Sequence, residues 1–142
     1  MRQTWLAPQD GSDIALRAVT WLVQNAAMLK QPPQIHLLNV QAGLPRDIGR
    51  FINADTIAEF HRDSGLAALA AAKAQLEAAG LAAELHVLVG EAAPIICEFA
   101  VSHACTQILM GTHGHSGLTG TLLGSVAMKV VHLAQVPVLL IR

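Results

Sequence analysis

The sequence Met110-Gly-Thr-His-Gly-His-Ser-Gly-Leu-Thr-Gly-Thr-Leu-Leu-Gly-Ser-Val126 joins an apolar run, residues 107–110, to an apolar-periodic segment, residues 126–134. This layout predicts a strand, a long glycine-rich loop and a helix. Glycines can take positive φ angles and lie close to a ligand, and here they stand at positions 111, 114, 117, 120 and 124. Ser125 is a candidate N-cap for the helix, whose free N–H groups and positive dipole end attract anions. The stretch is typical of a phosphate-binding loop.

Strand and helix patterns alternate along the rest of the chain. Strands are expected at residues 5–9, 35–40, 84–89, 107–110 and 137–141, with a helix between each consecutive pair. Ser12 is the predicted N-cap of the first helix, and Thr56-Ile-Ala-Glu59 has the form of a capping box at the start of the second. Residues 41–52 are interpreted as a loop. This alternation predicts one α/β domain over residues 1–142, a doubly wound, open, five-stranded parallel sheet of Rossmann-like form with helices on both faces.

The carboxyl ends of the predicted strands indicate where a ligand would bind. In open α/β sheets, ligands occupy the crevice outside these ends, at the point where the strand order reverses. Asp10 follows the first strand, Val40 ends the second, and Gly111 follows the fourth. We therefore expect these three residues to line one crevice.

Composition excludes several classes of partner. The net charge is −1 and the nine Lys and Arg residues are scattered, so nucleic acid is not an expected partner. No apolar stretch approaches the roughly 20 residues that span a bilayer, and residues 1–10 lack the apolar region of a signal peptide. The sequence therefore predicts a cytoplasmic protein without membrane insertion. Cys97 and Cys105 lie eight residues apart in one predicted helical segment and are interpreted as buried structural thiols that cannot pair.

Three short motifs together resemble the universal stress protein family. The first is the spacing Gly111, two residues, Gly114, nine residues, Gly124-Ser125. The others are Ala7-Pro-Gln-Asp-Gly-Ser12 and Leu38-Asn-Val40, which resemble the ends of the family's first two strands. The phosphate-binding motif G-x-x-x-x-G-K-[ST] is missing. The resemblance covers almost the whole chain and implies the strand order 3-2-1-4-5.

The resemblance also implies roles for individual residues in binding ATP, with ADP or AMP as alternatives. Asp10 would accept hydrogen bonds from the ribose hydroxyls, and backbone at Pro8 and Val40 would border the adenine. Met110 and Gly111 would lie against the ribose. Backbone N–H groups of four residues would hold the phosphates: Gly114, Gly124, Ser125 and Val126.

Few cationic side chains are available to balance the negative charge of the phosphates. Residues 74–128 contain no Lys or Arg, so backbone dipoles, a bound Mg²⁺ and either His115 or Lys129 are expected to balance it. The pair His113 and His115 is too small a set for a structural zinc site, and no residue is assigned to a protein-held metal. Four further histidines, at positions 36, 86, 103 and 132, fall in strands or helices and are interpreted as satisfied or solvated residues.

The distribution of carboxylates favours a binding protein over an enzyme. No acidic residue follows Glu98, and Asp10 and Asp13 are the only carboxylates expected near the site, so no catalytic residue is assigned. The leading interpretation is an ATP-binding regulatory protein that acts in a stress response as a dimeric switch, through a partner protein that the sequence does not identify. A slow ATPase and a nucleotide-free dimeric interaction protein are the alternatives. The apolar strand 136–141, on the edge of the implied sheet, predicts a homodimer.

Overall fold

Strands and helices alternate along the chain in the computed structural model, which describes residues 2–115 and 123–142. The elements, in chain order, are β1 (Thr4–Pro8), α1 (Asp13–Ala26), β2 (Gln34–Gln41), α2 (Arg46–Gly49), α3 (Ala54–Ala78), β3 (Glu84–Val89), α4 (Ala92–Ser102), β4 (Gln107–Gly111), α5 (Ser125–Leu133) and β5 (Val138–Ile141). Gly117 and Gly120 of the glycine-rich loop lie outside the described residues. No helix of the described part is long and apolar enough to cross a membrane.

The five strands form one sheet in the order β3-β2-β1-β4-β5, and every neighbouring pair is parallel. This confirms the predicted doubly wound sheet and its strand order. In β1, Trp5 lies beside Ile35 of β2 on one side and Gln107 of β4 on the other. The chain continues from β1 to β2 in one direction and reaches β4 in the other. The reversal of strand order therefore falls between β1 and β4, where a ligand crevice is expected.

The sheet is covered on both faces, which explains the apolar content of 53%. One core lies under α4 and α5 and includes Leu6, Leu38 and Ile108. The other lies under α1 and α3 and includes neighbouring strand residues such as Leu37 and Leu109. Successive strand residues point to opposite faces, so each central strand contributes to both cores and reads as a nearly continuous apolar run.

Two local predictions about the segment before β3 are wrong. Helix α3 begins at Ala54, and Asn53 is its N-cap because its Oδ1 accepts a hydrogen bond of 2.8 Å from the backbone N–H of Thr56. Thr56 is therefore the third residue of the helix and opens no capping box. The expected loop at residues 41–52 also contains the short helix α2.

The two cysteines are free and buried, as predicted, but they do not share a helix. Helix α4 ends at Ser102, so Cys105 lies in the connection to β4 while Cys97 lies within the helix. Burial raises the pKa of the Cys105 thiol from 9.0 to about 11. Desolvation, with a smaller contribution from Glu98, also raises the pKa of Cys97. Both residues are uncharged packing groups at neutral pH.

Candidate functional site

A cleft of about 280 Å³ opens at the carboxyl edge of the sheet, where the strand order reverses. Parts of β1, β2 and β4 and the first turns of α4 and α5 surround it. The cleft brings together all ten residues that the sequence assigned to a binding site: Pro8, Asp10, Val40, Met110, Gly111, Gly114, His115, Gly124, Ser125 and Val126. The expected convergence of Asp10, Val40 and Gly111 is present in the structure.

Asp10 is held at the mouth of this cleft by the turn between β1 and α1. Its Oδ1 accepts a hydrogen bond of 2.9 Å from the backbone N–H of Ser12, and the Ser12 hydroxyl accepts one of 3.2 Å from Ala15. Gly11 between them has a φ of +86°, which a residue with a side chain rarely adopts. The turn thus fixes one carboxylate oxygen, whereas Oδ2 points toward Gly114 across the cleft.

Two buried polar residues that the sequence interpretation left out of the site, Gln9 and Asn39, form the floor of the cleft. The Gln9 side-chain amide donates to the carbonyl of Ala15 at 2.8 Å, which ties β1 to α1. Asn39 donates to the Gln9 carbonyl at 2.9 Å and accepts a hydrogen bond of 2.6 Å from Gln41. These bonds explain why a glutamine is tolerated at the buried position just after β1. Polar residues at the ends of two apolar runs are the sequence signal that marks them.

Three glycines of the described loop lie so close to neighbouring residues that an added side chain would meet them. Gly111, Gly114 and Gly124 all lie outside the left-handed φ region, so the expectation of positive φ is wrong for these three. A Cβ at Gly111 would lie 2.8 Å from Ile14 Cγ2 of α1, and a Cβ at Gly114 would lie 2.5 Å from Asp10 Oδ2. A side chain at Gly111 would therefore collide with α1, whereas one at Gly114 would displace the Asp10 carboxylate.

The start of α5 differs from the prediction that Ser125 caps the helix. Gly124 is the N-cap, because its backbone is extended (φ −69°, ψ 164°) and Ser125 is already the first helical residue. The Gly124 N–H donates to the carbonyl of Thr112 at 2.7 Å and is therefore not free for a phosphate. The N–H groups of Ser125, Val126 and Ala127 have no partner within the helix by its geometry, and all three residues line the cleft. The cleft thus contains a helix N-terminus with its positive dipole end.

His115 joins the glycine-rich loop to the β1 turn. Its Nε2 donates a hydrogen bond of 2.6 Å to the backbone carbonyl of Asp10. Lys129, the other predicted cation, pairs instead with Glu91 at 3.5 Å, and because both side chains are exposed this pair contributes little energy. Within the described ranges, no Lys or Arg lines the cleft. An anion bound here would be held mainly by backbone N–H groups.

These features define a class of protein: an α/β protein with a ligand cleft at the switch point of its sheet. The cleft has apolar walls from Val40, Ile96 and Met110, one carboxylate and a helix N-terminus. Apolar walls suit a planar base, a carboxylate accepts hydrogen bonds from sugar hydroxyls, and a helix N-terminus binds phosphate. The residues present therefore fit a nucleotide.

Comparison with known proteins places the chain in a family. Residues 1–142 match the universal stress protein family, and the chain belongs to it. A universal stress protein of Methanocaldococcus jannaschii is 34% identical over 138 residues, which cover 95% of this chain and 79% of the relative. Universal stress protein YxiE of Bacillus subtilis is 32% identical over 143 residues, which cover 94% of each chain. The resemblance seen in the sequence is confirmed.

Solved structures of similar proteins have the same fold. Hypothetical protein MJ0577 superposes with a TM-score of 0.84 at 24% identity, over 99% of this chain and 96% of that one. A universal stress protein in complex with cAMP superposes with a TM-score of 0.72 at 26% identity, over 99% of this chain and 97% of that one. At these identities, the comparison supports the sheet and its strand order more strongly than any detail of a ligand site.

Proposed function

We propose that this protein binds an adenine nucleotide, with ATP the leading candidate, in the cleft between β1 and β4. The observation that carries the proposal is the placement of the Asp10 carboxylate and the first turn of α5 around one apolar cleft. The similar protein solved with cAMP supports the class of ligand. The proposal extends this ligand class from that protein to this chain.

In the proposed complex each part of the nucleotide has a matching wall. The adenine would lie near Val40 and Pro8, and the ribose would lie near Met110 and Gly111 with its hydroxyls donating to Asp10. The phosphates would meet the N–H groups of Gly114, Ser125 and Val126. Each of these residues lines the cleft.

A magnesium ion would accompany ATP and be held mostly by phosphate oxygens and water. Mg²⁺ keeps several waters and needs only one or two protein carboxylates. Asp10 is the single carboxylate among the described residues that line the cleft. The ion would neutralise phosphate charge in a site that lacks lysine and arginine.

The same shortage of carboxylates favours binding without efficient hydrolysis. Phosphoryl transfer to water needs a group that positions the water, in addition to the groups that hold Mg²⁺. In the described lining, Asp10 is already engaged by the Ser12 N–H and is assigned to the ribose. We therefore propose a regulatory switch that reports its bound nucleotide, and slow ATP hydrolysis remains the alternative.

A homodimer through β5 forms part of the proposal. Among the described residues, β5 pairs only with β4, and its four residues, Val138 to Ile141, are apolar and half-buried. The carbonyl of Pro137 accepts a hydrogen bond from Ile108 of β4, and that of Ile141 accepts one from Thr112, just after β4. Because backbone groups alternate along a strand, those of Val138 and Leu140 lie on the outer edge. A second copy could pair with this edge in antiparallel fashion and cover the apolar strand.

Thermal unfolding with and without nucleotide tests the proposal. Ligand at about one hundred times its dissociation constant adds about 2.7 kcal/mol to the free energy of unfolding, which is a readily measured shift. We expect stabilisation by ATP, ADP or AMP and little by GTP at the same concentration. Phosphate release measured in parallel separates a switch from a slow ATPase. Equal stabilisation by ATP and GTP would contradict adenine recognition.

A further inference from the structure

Two histidines and a glutamate converge outside the cleft, on β2 and β3. His36 lies in β2, and Glu84 and His86 lie in the neighbouring strand β3, where the register pairs His36 with Glu84. Glu84 and His86 are two residues apart and so share one face of the sheet. His36 contacts Phe99 of α4, which places the group on the α4 face. None of the three residues lines the cleft.

The distances within this His36–Glu84–His86 cluster match those around a bound metal ion. His36 Nδ1 lies 2.9 Å from His86 Nε2 and 3.5 Å from Glu84 Oε2, and His86 Nε2 lies 3.7 Å from the same oxygen. A point equidistant from atoms with these separations lies about 2.0 Å from each, within the range of zinc–nitrogen and zinc–oxygen bonds. The three atoms need almost no rearrangement to share one ion.

The protonation state of the histidines suits metal binding. Desolvation by burial is the largest cause that lowers the pKa of both His36 and His86, and it outweighs the opposing effect of Glu84. Both rings are therefore neutral near pH 7, and a neutral imidazole presents a lone pair to a metal. Without an ion, one ring must donate a proton to the other across the 2.9 Å contact.

The surroundings hold the rings in place and leave the site accessible. The Phe99 ring packs edge-on against both, with centroid distances of 5.4 Å to His36 and 4.7 Å to His86. His103 stacks on Phe99 at 3.7 Å, and its Nδ1 lies 3.1 Å from the Phe99 carbonyl. The Glu84 side chain is 61% exposed. An ion could enter from that side, and a water could take the remaining coordination position.

We propose that His36, Glu84 and His86 bind one divalent transition-metal ion per chain, with zinc the best-fitting candidate. Two imidazoles and one carboxylate are a donor set that zinc accepts with one position left open. Hard cations such as Mg²⁺ and Ca²⁺ prefer oxygen and fit less well. The site needs no nucleotide, because His36 and Glu84 lie toward the amino ends of β2 and β3, whereas the cleft lies at the carboxyl ends of the strands.

The test is a titration of the metal-free, tag-free protein with Co²⁺ and Zn²⁺ in the absence of nucleotide. Cobalt binding is followed by its visible absorption, and zinc binding by calorimetry or by competition with bound cobalt. The informative variants are Glu84→Gln, at an exposed position, and His86→Gln. His132→Gln is the matched control, because His132 is an exposed histidine outside the cluster. Circular dichroism of each variant checks that the fold is retained.

We expect one ion per chain, affinity at least roughly tenfold weaker in each cluster variant, and unchanged affinity in the His132→Gln control. A stabilising thermal shift with Zn²⁺ should be present in the parent protein and lost in Glu84→Gln. The proposal is overturned if the parent shows no saturable binding. It is also overturned if Glu84→Gln and His86→Gln bind as tightly as the parent, because the ion would then sit elsewhere.

Discussion

Replacing Gly114 with alanine should weaken nucleotide binding without unfolding the protein. The new Cβ would lie 2.5 Å from Asp10 Oδ2, closer than real contacts allow, so the exposed carboxylate must turn away. In the proposed complex that carboxylate accepts hydrogen bonds from the ribose. A hydrogen bond to a charged group contributes about 2 kcal/mol, and its loss corresponds to roughly 30-fold weaker binding.

The effect of Gly114→Ala on the empty protein should be small, because two changes oppose each other. Moving Asp10 strains or breaks its bond to the Ser12 N–H, which costs about 1 kcal/mol. Alanine also lowers the conformational entropy of the unfolded chain, which raises the free energy of unfolding by about 0.4–1 kcal/mol. We therefore expect the unfolding temperature without ligand to change by less than about 4 °C.

Calorimetric titration of ATP into the parent and variant measures the affinity, and a thermal melt of the empty proteins measures the stability. Gly49→Ala is the matched control, since a Cβ there meets no atom within 4 Å. Affinity in Gly114→Ala equal to that of the parent would refute the reasoning that Asp10 contacts the ribose. A large loss of stability in the empty variant would refute the claim that the carboxylate can move.

Four further predictions follow from individual residues. Leu140→Pro removes an N–H group from the outer edge of β5 and should yield a monomer in light scattering. Leu140→Ala keeps this N–H group and should remain a dimer. A monomeric parent protein would argue against this interface. Ser125→Ala keeps the backbone N–H but removes a hydroxyl that lines the cleft and would donate to a phosphate, so it should weaken ATP binding about fivefold in calorimetry. The stability of the empty protein should change by less than about 0.5 kcal/mol in a thermal melt. Leu109→Ala, at a fully buried position, should lose about 2–5 kcal/mol in urea unfolding. Burial raises the pKa of Cys105 from 9.0 to about 11, so its contribution to the free energy of unfolding is fully present below pH 9 and is lost as the pH rises through 11. The urea midpoint should therefore fall over this range more in the parent than in Cys105→Ala.

The fold could be predicted because each element has its own local signal. Buried parallel strands read as short apolar runs, such as Ile35 to Val40, and the intervening helices have caps and regular apolar spacing. Helix boundaries were harder to predict, because several residues near each end of a helix can act as its cap. At α3 the capping-box pattern pointed to Thr56, whereas the backbone geometry and the side-chain bond to the Thr56 N–H show that Asn53 caps the helix.

The convergence of the assigned residues was predictable where it depends on strand ends and glycine spacing. All ten assigned residues line the cleft, because parallel strands bring their carboxyl ends to one edge. The sequence could not show that the Gly124 N–H is taken by Thr112, since that bond depends on how the loop folds back. The cluster of His36, Glu84 and His86 was missed for a similar reason. It exists only through the register of β2 against β3, although the spacing Glu84-x-His86 places two ligands on one face of a strand.

The most direct test of the central claim is a calorimetric titration of nucleotide-stripped protein with ATP and, separately, with GTP. In the described part of the chain, the cleft between β1 and β4 combines apolar walls, the Asp10 carboxylate and the N-terminus of α5, which we propose hold the base, the ribose and the phosphates of one nucleotide. We predict one ATP bound per chain and GTP binding at least roughly tenfold weaker, a difference of about 1.4 kcal/mol. Absence of saturable binding by ATP, ADP and AMP to the stripped protein would contradict the claim.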